Sequence, residues 1–153
     1  MAECLLGNGN QAYEYLRASM PAAYNQKAEI RQCEPYVQAQ TTYSTFSPRP
    51  GNTRTSWLTG AAAWFYFSAT QYVLGIQPQK DGLAINPCIP SEWNGFSANR
   101  EYRGHEIQIT VHNPQHVCMG VKKLEVNGKE ISGCLIPEKL LEDNNIVEIW
   151  LGQ

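Results

Sequence analysis

The chain contains no C-x-x-C pair and no N-x-[ST] sequon, and it has no apolar run near the ~20 residues needed to span a bilayer. Charge is scarce as well. Of 153 residues 17% are charged, 12 basic against 14 acidic, for a net charge of -2. That balance supplies no broad cationic surface, which argues against a nucleic-acid or anionic-membrane partner. Disorder is excluded from the other side, because 42% of the residues are hydrophobic and disorder needs few apolar groups and much charge. The opening Met-Ala-Glu-Cys-Leu-Leu-Gly has neither a basic start nor a long apolar core, so no signal peptide is expected. Five cysteines, Cys4, Cys33, Cys88, Cys118 and Cys134, stand at wide, irregular spacings. They predict reduced structural thiols in a cytoplasmic protein and no metal or other cofactor site.

What is present changes character near Pro78. Apolar groups at Ala12, Tyr13, Leu16 and Met20 follow a 3.6 period and predict a helix over Gln11–Met20, with Asn8 or Asn10 as cap and Pro21 after its end. The stretch from Ala22 to Arg54 holds Pro35, Pro48, Pro50 and Gly51, with short extended runs at Tyr36–Thr42 and Thr45–Ser47. A helix expected over Gly60–Leu74, packed antiparallel on the first, is apolar on most faces, and Gly75 stands where a left-handed cap would end it. After Pro78 the signals are those of strands: Gly82–Asn86, Ser97–Tyr102, His105–His112, Val121–Val126 and Ile146–Leu151, with hairpin turns at Gly104 and Asn127-Gly128. The expected division is therefore 1–78 helical and 79–153 a small antiparallel β domain. A helix like Gly60–Leu74 needs several helices around it. The simplest expectation is the C-terminal end of a larger helical protein followed by its β domain.

Five segments together carry a resemblance: E-P-Y (Glu34–Tyr36), S-W-L-T-G (Ser56–Gly60), Q-Y-V-L-G-I-Q-P (Gln71–Pro78), D-G-L (Asp81–Leu83) and N-P-C-I-P-S-E-W (Asn86–Trp93). In this order and spacing the chain, from about Leu5 to Gly104, resembles the C-terminal third of family 94 glycoside phosphorylases, the cellobiose and chitobiose phosphorylases. The resemblance implies an α+β chain comprising the end of an (α/α)6 helical barrel followed by a small antiparallel β-sandwich domain. It also implies inverting phosphorolysis, in which inorganic phosphate, a substrate rather than a cofactor, attacks a β-linked disaccharide to give an α-sugar 1-phosphate and a free sugar. The family's general-acid Asp and its phosphate-binding His would lie upstream of the residues here, so this chain alone is expected to be inactive. The complete protein is expected to be a homodimer. A non-catalytic carbohydrate-binding or interaction module is the alternative.

Thr59 and Gly60 are the phosphate candidates. A phosphate dianion suits the free N–H groups and positive dipole end of a helix, and a residue without Cβ lets an oxyanion approach the backbone. The matching Thr-Gly pair contacts phosphate in the family; ordinary helix capping is the competing reading. Gln40 resembles a donor-sugar ligand. Gln38 would point the same way on a strand, so the choice between them rests on the resemblance. Arg54, with Arg49, flanks Pro50-Gly51-Asn52 and could face the sugar or phosphate entrance, or simply be solvated. Glu34 beside Arg31 reads as a structural pair. His105, His112 and His116 read as surface or core residues, Trp64–Phe67 as barrel core, and Cys88 as a small buried residue.

Overall fold

The computed structural model describes residues 1–152. It is an α+β chain of two compact units, one formed by Met1–Tyr13 together with the chain from Ala69 onward, the other by Glu14–Ser68. The helices are α1 (Ala2–Leu5), α2 (Gly9–Ser19), α3 (Ala28–Arg31) and α4 (Ala61–Phe67). The strands are β1 (Ala39–Thr42), β2 (Thr53–Ser56), β3 (Ile76–Pro78), β4 (Gly82–Ile85), β5 (Gly95–Tyr102), β6 (His105–His112), β7 (Val121–Val126), β8 (Lys129–Ile131), β9 (Leu135–Pro137) and β10 (Asn144–Leu151).

In the first unit, alternation of Ile107, Ile109 and Val111 with Glu106, Gln108 and Thr110 buries one face of β6 and wets the other. Its neighbours repeat the pattern, and the sheet order is β5-β6-β10-β7-β8. The sheet is not purely antiparallel as expected, because β10 pairs parallel to β6 and antiparallel to β7. β6 and β7 are joined by residues 113–120 and leave a strand-wide slot between them. β10 fills it with the buried side chains Val147, Ile149 and Leu151. A second, antiparallel sheet, β3-β4-β9, buries Leu83, Ile85 and Ile136. The short strands β3, β8 and β9 were not legible in the sequence, since three residues are too few to show a period and two of them end in proline. Both hairpin signals act as the sequence implies: Arg103-Gly104 and Asn127-Gly128 have positive φ at both positions, the geometry of a tight type I′ turn. No helix after Gly104 exceeds a three-residue 3-10 turn, Glu138–Leu140, among the described residues.

Three of the segments that carry the resemblance, Gln71–Pro78, Asp81–Leu83 and Asn86–Trp93, meet each other in this unit. Gly75, at φ 67, ends the helical stretch, and a Cβ there would lie 2.2 Å from the Asn86 carbonyl oxygen. In exchange the Asn86 amide donates to the Gly75 carbonyl (2.9 Å) and the Cys88 amide to that of Val73 (2.9 Å). The first turns of α2 run along the same segment. Asn10 does not cap the helix; its Oδ1 accepts the Ser91 amide (2.9 Å). Asn8 immediately precedes the helix; its carbonyl accepts the Ala12 amide (2.9 Å) and its side-chain amide donates to Glu3 (2.8 Å). Tyr13 meets Trp93 edge to face, with ring centroids 5.0 Å apart.

The second unit departs further from expectation. No barrel wall forms among the described residues, because the helical matter is short and interrupted. α2 ends at Ser19, Pro21 opens a 3-10 segment to Lys27, and α3 has one turn. The expected antiparallel packing of α2 on α4 is not among the substantial contacts between elements. α4 itself buries no residue, and Trp64 is 63% exposed, so Trp64–Phe67 is not core in this chain. Past Phe67 the helix widens to a π form over Ser68–Val73. Beside that change the Ser68 hydroxyl donates back to the Trp64 carbonyl (2.7 Å), a bond that bends helices. Thr45–Ser47 is turn rather than strand, and β1 pairs antiparallel with β2 across it.

Asn113, 1% exposed, holds the β6–β7 connection open. Its side-chain amide donates to the carbonyls of Trp93 and Val117 (both 2.9 Å), and its Oδ1 accepts the Val117 amide (3.0 Å). Asn113→Ala strands these backbone groups in the interior and is expected to cost about 2–4 kcal/mol. Urea denaturation followed by circular dichroism measures it, and a loss below about 1 kcal/mol would show that the loop is held by other means.

Candidate functional site

The Glu14–Ser68 unit is tied by polar groups. Arg31, only 9% exposed, donates from its guanidinium to the carbonyl oxygens of Glu34 (2.6 Å) and Val37. The Arg31 carbonyl in turn accepts the Thr53 hydroxyl (2.8 Å), and the buried Asn52 amide donates to Gln32 (2.8 Å) and Ile30 (3.2 Å). The expected Arg31–Glu34 pair is therefore corrected in kind. Arg31 holds the loop through main-chain oxygens, which leaves the Glu34 carboxylate free for another partner.

That partner is Trp57, whose indole N–H donates to Glu34 Oε1 at 3.0 Å, while Tyr36 packs edge-on against the indole at 6.0 Å between centroids. The structure thus brings E-P-Y against S-W-L-T-G. Thr55 (φ 59) and Trp57 (φ 69) both lie in the left-handed region, an unfavourable place for a β-branched or bulky residue, which persists where the surroundings impose it. The Glu34–Trp57 bond is one such restraint, two residues before Thr59. The carboxyl pKa of Glu34 is lowered, first by its own backbone N–H, then by Trp57 and Cys33.

Thr59 and Gly60 stand at the start of α4. Thr59 precedes the N-cap Gly60, and its Oγ1 accepts the Ala61 amide (3.1 Å), which leaves the hydroxyl proton available to an acceptor. Gly60 has φ -69, which any residue adopts, and a Cβ there would meet nothing within 4 Å. Neither conformation nor packing within this chain requires glycine at this position. Gln40 is exposed on β1, whereas Gln38 is committed, donating to the Ser19 carbonyl at 3.1 Å. Arg54 is exposed on β2, opposite Thr41, with its guanidinium 6.0 Å from the Tyr43 ring centroid. Because Gln40 is one residue from Thr41, pleat alternation puts Gln40 and Arg54 on opposite faces of the hairpin. The structure does not bring those two together. Arg49 is exposed in the intervening turn.

Residues 1–75 match the profile of the Glycosyl hydrolase 94 superfamily, catalytic domain, and residues 76–132 that of the Glycosyl hydrolase family 65, C-terminal domain. Over residues 1–75 the chain is thus similar to the glycosyl hydrolase 94 superfamily. An N,N'-diacetylchitobiose phosphorylase of Vibrio proteolyticus is 39% identical over 149 residues, 97% of this chain and 19% of that protein. A solabiose phosphorylase of Paenibacillus borealis is 36% identical over 90% of this chain and 18% of its own length. A 3-O-beta-D-glucopyranosyl-beta-D-glucuronide phosphorylase of the same species is 28% identical over 89% of this chain and 18% of its own length. The chain thus spans about a fifth of the length of the curated relatives it matches. Gln40, Arg54, Thr59 and Gly60 all fall in the part matched by the glycosyl hydrolase 94 profile.

The other candidates have structural partners outside that part. His105 Nδ1 lies 2.8 Å from the Glu142 carbonyl, His116 Nδ1 lies 3.0 Å from that of Ser91, and His112 stacks on Trp150. Cys88 is buried beside Cys4. The Cys4 thiol and burial push the Cys88 pKa up, which makes it a poor nucleophile. All five cysteines are free thiols. Among the described residues no helix is long and apolar enough to cross a membrane. Sequence reasoning missed the role of Trp57. Its signal was the E-P-Y glutamate upstream of an indole donor, which shows only once the chain has folded back.

Because the folded-state pKa of Glu34 is depressed, the stability it contributes is present above its unfolded value and is lost as pH falls through the folded value. Trp57→Phe removes the indole donor and is expected to raise the Glu34 pKa toward the usual glutamate range. NMR titration of the carboxyl carbon reads it, and an unshifted midpoint would mean that the indole bond contributes nothing.

Proposed function

We propose that this chain supplies the phosphate-facing end of an inverting disaccharide phosphorylase, in which inorganic phosphate cleaves a β-linked disaccharide to α-sugar 1-phosphate and free sugar without a cofactor. The observation that carries the reading is the start of α4. There, in the part matched by the glycosyl hydrolase 94 catalytic profile, Thr59 keeps its hydroxyl proton while its oxygen accepts the Ala61 amide, and Gly60 at the N-cap leaves the backbone uncovered. An oxyanion is the ligand such a helix start favours. Gln40 takes the donor sugar and Arg54, on the other face of the hairpin, the charged entrance. The general-acid Asp comes from the remainder of a complete catalytic domain.

The burial of the second unit supports the need for that remainder. Its buried residues are Pro21, Arg31, Val37, Asn52 and Thr53, three of them polar, while Trp57, Leu58, Trp64 and Tyr66 are each more than 60% exposed. Apolar surface of that kind asks for a covering layer. We assign the cover to the other helices of an (α/α)6 barrel, with the two sheets following as a β-sandwich domain in a cytoplasmic homodimer.

Two measurements test this. The purified chain, incubated with cellobiose or N,N'-diacetylchitobiose and phosphate, is expected to release no sugar 1-phosphate, since protonation of the leaving oxygen alone is worth roughly 10²–10⁴ in rate. Turnover at the level of an intact phosphorylase would overturn the division of labour. In the complete enzyme, Thr59→Val is expected to weaken phosphate binding by about 1–3 kcal/mol, with Gly60→Ala acting in the same direction by crowding the anion. Steady-state kinetics should show the change in the KM for phosphate rather than for disaccharide. If phosphate dependence is untouched, Thr59 is a helix cap and nothing more.

A further inference from the structure

A cavity of about 520 Å³ opens within the Glu14–Ser68 unit, lined by residues of α2, the 3-10 segment, α3 and the β1–β2 hairpin. Its volume lies in the range of small-molecule sites. Its charge is one-sided, because Lys27 and Arg31 line it and no carboxylate does. Arg31 is the less usual of the two. Burying a guanidinium is costly unless it is paired, and the acceptors seen here, the Glu34 and Val37 carbonyls, are neutral. They satisfy hydrogen bonds and leave a full positive charge beside the cavity. Lys27, exposed on the cavity wall, adds a second charge. The remaining lining is mixed, with Tyr24 and Ile30 as its larger apolar residues and Thr42 as a hydroxyl-bearing one. A sugar ring offers the same mixture, with C–H faces and a rim of hydroxyls.

We propose that this cavity binds a small anionic polyol, a sugar ring bearing a carboxylate or a phosphate, with Lys27 and Arg31 as its cationic partners. The site is separate from the start of α4 and does not depend on phosphorolysis by this chain, so binding can be read on the chain as it stands. Glucuronate and glucose 6-phosphate are the two charged probes, which distinguish the carboxylate from the phosphate source. Glucose and inorganic phosphate are the ring and the charge alone. Isothermal titration at low salt is expected to show 1:1 binding of at least one charged sugar, tenfold or more tighter than glucose and tighter than phosphate. The binding should weaken as salt rises. Lys27→Glu reverses one charge on an exposed side chain and should weaken that binding at least fivefold with an unchanged circular dichroism spectrum. Arg31→Lys, which keeps the charge but loses the fork to two carbonyls, should weaken it as well. Equal binding of glucose, no binding of either charged sugar, or an unaltered affinity in Lys27→Glu would overturn the proposal. Phosphate binding with no gain from the ring would overturn the polyol assignment.

Discussion

The first unit depends on a strand that enters last. β6 and β7 are not neighbours, and their connection is pinned open by Asn113, so the sheet is discontinuous until β10 enters the slot. Val147, Ile149 and Leu151 then close the apolar face that Ile107, Ile109, Val111 and Leu124 begin. Each of these side chains is essentially fully buried, worth about 1.5–3 kcal/mol relative to exposure. A parallel neighbour on one side and an antiparallel one on the other follow directly from this placement. The constraint is non-local: residues near 107 and 124 wait for those near 149, which makes the sheet slow to complete by loop-closure entropy.

The second unit is built on a different basis. Its buried positions are mostly polar, and hydrogen bonds from Arg31, Asn52 and Thr53 to main-chain oxygens take the place of an apolar core. Net hydrogen-bond contributions are near 1 kcal/mol each, far less than the β unit draws from burial. What the polar knot provides is position. It folds the loop containing E-P-Y back so that Glu34 reaches Trp57, and Trp57 sets the approach to Thr59.

The sequence carried these two halves with unequal clarity. Period-two alternation over His105–His112 and the Asn127-Gly128 turn name their strands and hairpin outright, because both signals are local. The parallel insertion of β10 is not local and leaves no mark on its own eight residues. In the helical half, the apolar run from Trp57 to Leu74 gave the right element type and the wrong surroundings. Apolar composition states what a helix would bury against, and α4 has nothing there to meet. Thr59 and Gly60 stand out in the sequence only through motif order. That Gln40 and Arg54 occupy opposite faces required the register Thr41 to Arg54. That Arg31 serves carbonyls rather than Glu34 required the loop itself.

Gly60 bears most directly on what the chain does. Glycine is usually retained where φ is positive or where a neighbour leaves no room for Cβ. Gly75 meets both conditions, and its glycine needs no ligand to account for it. Gly60 meets neither, and it stands at the N-cap, where glycine is tolerated far better than alanine. On the proposed reading, what comes close to the bare backbone there is either a packed element of the rest of a catalytic domain or the ligand. The Thr59 hydroxyl separates the two. Its oxygen accepts the Ala61 amide and its proton remains to be given, so an approaching group with an acceptor oxygen suits the proposed reading. A packed apolar helix has none, whereas a phosphate oxygen does.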